Sequence, residues 1–109
     1  MASYSGTRVA YVASSASVGA DTVVLTDGGF SVKVTNITGT APLYFTVSQP
    51  GGPCPVPTTA AAANVFVVPS AVNSSVNVRH AGQFGTVVQV VSTGSPSYMV
   101  EVQGNHATS

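Results

Sequence analysis

The sequence predicts an all-β fold: an antiparallel Ig-like β-sandwich of about seven or eight short strands, preceded by an extended N-terminal arm. Three observations lead there. Apolar and polar residues alternate along several short runs, and successive side chains of a strand leave opposite faces of its sheet. Turn chemistry from Gly, Pro, Asn and Asp breaks those runs at intervals of about 8 to 12 residues. Helical periodicity is missing, and the one helix-prone run, A-A-A-A at 60–63, is too short to hold a helix alone. A small barrel is the alternative architecture. The chain lacks Trp and has a single Cys, so "Ig-like" describes the layering and not a disulfide-pinned core.

The first 20 residues are rich in Ser, Ala and Gly and are expected to form an arm or linker, with a short strand at 8–13 (R-V-A-Y-V-A). The sandwich is expected over 21–103 and a polar tail over 104–109. Its first strand, 22–26 (T-V-V-L-T), rests on β-branched content. Asp27-Gly28-Gly29 is a tight-turn signal, which either a hairpin or a crossover between sheets satisfies. The most regular stretch follows. On one strand Phe30, Val32 and Val34 share a face, opposite Ser31, Lys33 and Thr35. On the next, Leu43, Phe45 and Val47 share a face, opposite Tyr44, Thr46 and Ser48. Asn36, Gly39, Thr40, Ala41 and Pro42 turn the chain between them.

The run 49–59 (Q-P-G-G-P-C-P-V-P-T-T) holds four prolines. They remove backbone donors, so a stiff surface loop outside either sheet is expected. Beyond it, 64–68 (N-V-F-V-V) reads as a strand stopped by Pro69, and 75–79 alternates Val76 and Val78 against Asn77 and Arg79. A turn is expected at 81–85. The nearly continuous apolar run 86–91 reads as a central strand, and Gly94-Ser95-Pro96 turns the chain again. The last strand, 97–103, sets Tyr98, Val100 and Val102 inward and Met99, Glu101 and Gln103 outward.

At 109 residues the chain is one domain, large enough for a core without metal or disulfide staples. Only 6% of its residues are charged and the formal net charge is zero, against about 25% charged in an ordinary soluble domain. Arg8, Asp21, Asp27, Lys33, Arg79 and Glu101 stand singly. No basic stripe is present to follow a phosphate backbone, so nucleic acid is not an expected partner. Nor is a membrane: no apolar run reaches the ~18 residues of a span. The opening M-A-S-Y-S-G has neither a basic n-region nor an apolar h-region, so synthesis in the cytoplasm without Sec export is expected. The polar surface must be built from Ser, Thr, Asn, Gln and Gly, which puts little repulsion between copies. Such a surface suits a secreted β-domain or a subunit that stays packed against other proteins.

Side chains able to do chemistry are few and scattered. Gly94-Ser95-Pro96-Ser97 lacks the strand-to-helix bend of a nucleophile elbow. His80 and His106 are isolated, Cys54 stands alone, and no C-x-x-C or Asp-rich loop occurs, so no metal ligand is assigned. His80 is expected as an exposed turn residue and His106 as part of the tail. Asp21, Asp27 and Glu101 do not suggest a carboxylate pair for glycoside chemistry. Neither Gly28-Gly29 nor Gly51-Gly52 leads into a lysine or a helix start, so no phosphate loop is assigned. The expectation is a non-enzymatic protein with no catalytic residue, cofactor or metal. Two glycosylation sequons, Asn36-Ile37-Thr38 and Asn73-Ser74-Ser75, are read as chance matches. Cys54 reads as a small apolar residue, with pairing between chains as the alternative. Tyr44, expected to point outward, belongs to an ordinary sheet face or to a sugar-binding platform.

One order of segments does resemble a known group. D-T-V-V-L is followed by V-K-V-T-N-I-T-G-T-A-P-L-Y-F-T-V, a Pro/Gly loop, N-V-F-V-V-P-S-A-V and T-V-V-Q-V-V-S-T-G-S-P-S-Y-M-V-E-V. This pattern, over about residues 21–102, resembles small β-sandwich accessory proteins of tailed bacteriophages, particularly those of actinobacterial hosts. The resemblance is one of strands and turns and carries no catalytic motif. It implies a virion structural role, most often capsid decoration on the outer shell surface, with the major capsid protein lattice or other virion proteins as partner and homo-oligomerisation open. The alternative reading is a tail- or fibre-associated adhesion module that binds host-surface carbohydrate, with Tyr44 and the loops at one end of the sandwich holding the glycan.

Overall fold

The computed structural model describes residues 3–17, 19–27, 29–49, 54, 56–60, 64–82 and 85–103, with the backbone alone for 80–82. Among them are nine strands and no helix: β1 (Ser3–Gly6), β2 (Val9–Val12), β3 (Asp21–Leu25), β4 (Gly29–Asn36), β5 (Leu43–Ser48), β6 (Phe66–Val68), β7 (Ser74–Gly82), β8 (Thr86–Val91) and β9 (Tyr98–Gln103). They form two sheets, one in the order β1-β3-β8-β5-β6 and one in the order β2-β9-β4-β7. Every pairing is antiparallel except β1 with β3. The result is a β-sandwich, as the sequence predicts.

Alternation explains the layering. From the first sheet Val23, Leu25, Leu43, Phe45, Val68, Val88 and Val90 face inward, and from the second Ala10, Val12, Val32, Val34, Tyr98, Val100 and Val102. These two inner faces make one continuous core. The apolar run Thr86–Val91 is central, lying between β3 and β5, and β9 lies between β2 and β4.

Sheet assignment is where sequence and structure part. β4 and β5, alternating strands joined by a short turn, lie in different sheets. Asp27 to Gly29 likewise carries a crossover, from β3 in one sheet to β4 in the other. Alternation states which side of a strand is buried; it does not state which sheet supplies the neighbours.

Part of the expected arm over 1–20 is paired into the sandwich. β1 lies beside β3, and β2 lies beside β9. The chain changes sheet between them: Thr26 and Asp27 donate to the carbonyls of Gly6 and Thr7, whereas Val102 donates to that of Arg8. Ser-Tyr-Ser-Gly has little intrinsic strand preference, so β1 forms because β3 supplies a ladder for it.

Three smaller corrections follow. Phe30 is 50% exposed rather than facing the core with Val32, because the β4/β7 register shifts between Gly29 and Ser31. β7 runs on through Gly82, so His80 lies in a strand rather than in a turn. Gln49 and residues 56–60 carry no strand, as expected of the proline-rich run, while 50–53, 55, the Ala run 61–63, Phe84 and the tail 104–109 lie outside the described residues.

Candidate functional site

The residues with chemical potential are spread over the sandwich and are mostly spent on structure. Asp21 opens β3 and is 2% exposed. Its Oδ2 accepts from the Tyr98 hydroxyl at 3.0 Å and from the Ala16 N–H at 3.0 Å. Tyr98 belongs to the other sheet, so this bond ties the layers through the core. Burial, with the Asp21 carboxylate beside it, pushes the Tyr98 phenol well above its ordinary range. Nearby in the chain, the Ser15 hydroxyl is buried and has no hydrogen-bond partner among the described residues. The backbone there is tied down by Ser15 N–H to Pro96 O at 3.1 Å and Ser92 N–H to Ala16 O at 3.0 Å.

Asp27 sits in the β3–β4 connection, half-buried, with Arg8 Nη1 3.5 Å from its Oδ2. The same guanidinium donates to Val102 O at 3.2 Å. That pair clamps the point where the N-terminal segment changes sheet. Glu101 lies on the outer face of the second sheet, across from Val9 and Lys33. The three carboxylates therefore occupy the core, a connection and an outer face. Among the described residues no group of three or more His, Cys, Asp or Glu side chains could hold a metal ion.

Asn36 shows what the sequon at 36–38 does instead. It is fully buried, and its amide donates to Ala41 O at 2.7 Å and Pro69 O at 3.1 Å while Oδ1 accepts from the Gly39 N–H at 2.9 Å. Both amide donors and the carbonyl oxygen are engaged. Gly39 has φ +69°, and a Cβ there would meet the Ala71 carbonyl carbon and the Val72 nitrogen at 2.5 Å. Asn36 thus holds the T-N-x-x-G turn against the V-V-P-S bend. Asn73, in the other sequon, is exposed in a turn with φ 60°.

Cys54 is half-buried against the first sheet: its Sγ is 3.6 Å from Thr46 Oγ1 and 3.8 Å from Val87 O. Pro57 is buried and Thr46, on the outward side of β5, is 2% exposed, so this part of the loop covers the sheet. Tyr44 points outward as expected, half-buried, with Val67 and Val91 as its cross-strand neighbours. The position of His106 lies outside the described residues, as does the side chain of His80.

What the arrangement does offer is surface. The outward positions of the first sheet's strands are Ser3, Ser5, Thr22, Val24, Tyr44, Thr46, Ser48, Val67, Val87, Gln89 and Val91; none is charged, and Thr46, under Cys54, and Val91 are buried while the others are at least partly exposed. The outward strand charges Lys33, Arg79 and Glu101 all lie on the second sheet. Sequence reasoning found the low charge but not this division, which depends on sheet assignment. Comparison with known protein families, curated proteins and solved structures finds no match for the chain. Among the described residues no helix is long and apolar enough to cross a membrane.

Proposed function

We propose that the protein is a non-enzymatic structural component of a tailed-phage virion, most specifically a decoration protein that binds and stabilises the assembled capsid shell. The observation that carries this reading is the charge-free outer face of the first sheet. Val24, Val67, Val87 and Tyr44 lie there among Ser, Thr and Gln, with nothing ionic to desolvate on contact. A protein interface is poor in charge at its centre, and this face carries no charged strand residue: a polar row of Thr22, Gln89 and Thr46 lies between apolar rows. The segments that carry the resemblance to phage accessory proteins also meet physically, through Asn36 and its bonds to Ala41 and Pro69. Their order therefore has a folding reason, and the resemblance needs no catalytic residue to account for it.

Binding to an assembled lattice and not to free capsid subunits would stabilise the shell by mass action. The test is direct. Purified shells should carry the protein in fixed stoichiometry, and shells made without it should disassemble at lower temperature. If the protein is missing from shells but binds cell-wall glycan, with binding lost in Tyr44→Ala, the adhesion reading replaces this one.

A further inference from the structure

The two lateral sides of the sandwich differ in the length of their edges. On one side the sheets end in β1 and β2, of four residues each, and on the other in β6 and β7; each pair is consecutive in the chain. β6 has three residues and stops at Pro69, but β7 has nine and pairs only with β4 among the described residues. Such a free edge displays a row of unpaired N–H and C=O groups, and proteins ordinarily guard it with Lys, Pro or a bulge. β7 contains no Pro and one charge, Arg79, and its ladder shifts only beyond that residue. From Ser74 to Arg79 the edge is regular. Its inward valines, Val76 and Val78, are only partly buried against the core.

We infer that β7 is a self-pairing edge: two copies of the chain join antiparallel through it, about a two-fold axis at Asn77, to make one continuous eight-stranded sheet. Centring on Asn77 decides every opposed pair. Val76 of each copy meets Val78 of the other on the core side, extending both cores across the seam. On the outer side Ser75 of each copy meets Arg79 of the other. Residues opposed across an antiparallel pair share a face, and like charges opposed there repel. In this register no like charges meet. Arg79, exposed and without a hydrogen-bond or ion-pair partner among the described residues, gains a hydroxyl acceptor. Each contact occurs twice, as a two-fold interface requires. A net charge of zero adds no long-range repulsion between copies.

Exposed Ser75 allows a charge test that leaves the fold alone. Molar mass is measured by light scattering over a dilution series for the full chain and for Ser75→Arg and Ser75→Glu, each checked for native circular dichroism. The full chain should approach twice the protomer mass as concentration rises. Ser75→Arg opposes two guanidinium pairs and should weaken association about tenfold, while Ser75→Glu should hold or tighten it. A protomer mass at every concentration overturns the proposal, as does equal association of the two variants. The inference goes beyond the virion reading, so either can fail without the other.

Discussion

The Tyr98 hydroxyl, in one sheet, donates to the Asp21 carboxylate, in the other, at 3.0 Å inside the core. The partners are 77 residues apart in the chain. The sequence alone offers Asp21 as one carboxylate among scattered acids; the fold makes it an interlayer tie. Removing the hydroxyl leaves a buried acid short of one partner. Tyr98→Phe is expected to cost about 2 kcal/mol, the usual scale for a hydrogen bond to a charged group. Chemical denaturation, with the midpoint lowered at an unchanged slope, checks this.

The same pair fixes the alkaline limit. Burial, then the neighbouring carboxylate, raises the Tyr98 phenol in the folded state above its unfolded value. The folded chain therefore holds a proton that the unfolded chain releases above pH ~10. This stabilisation is fully present below that pH and is lost as pH rises, at up to about 1.4 kcal/mol per unit. The tyrosinate absorbance of Tyr98 should appear only in a step that coincides with loss of far-ultraviolet structure. In Tyr98→Phe that coupled step should disappear.

Ser15 makes the opposite prediction. Its hydroxyl is 3% exposed and has no partner among the described residues. Deleting a buried hydroxyl that bonds nothing removes a desolvation penalty. Ser15→Ala is expected to raise stability by about 1 kcal/mol, read as a higher denaturation midpoint.

At the Asn36 turn, Gly39→Ala combines a left-handed backbone with a Cβ pressed on the Ala71–Val72 peptide. The expected loss is about 2 kcal/mol or more. Val72→Ala, changing a side chain that is 68% exposed, should leave the melting temperature where it was. A thermal melt of both variants separates the two.

How much of this was legible follows from the range of each signal. Strand existence is local, and Thr86–Val91 and the inward set Tyr98, Val100 and Val102 fall where alternation puts them. Sheet membership is not local. The Asn36–Leu43 turn resembles a hairpin because the residues that reverse a chain within a sheet also carry it across a sandwich. β1 has almost no signal of its own, and Phe30 is displaced by a register shift that only the partner strand reveals. The charge-free face was hidden for the same reason. Val24, Tyr44, Val67 and Val87 are distant in sequence and become neighbours only once β3, β8, β5 and β6 are laid side by side.

The central claim is that this sandwich works by lying against other subunits of a virion through that uncharged face. The most direct measurement is quantitative mass spectrometry of purified particles, comparing the full chain with Val67→Lys, which places a charge on the face at a partly exposed position. The account expects a fixed copy number per shell for the full chain and a large loss of bound protein for the folded variant. Particles that contain none of the protein, or that hold Val67→Lys in equal amount, would contradict it.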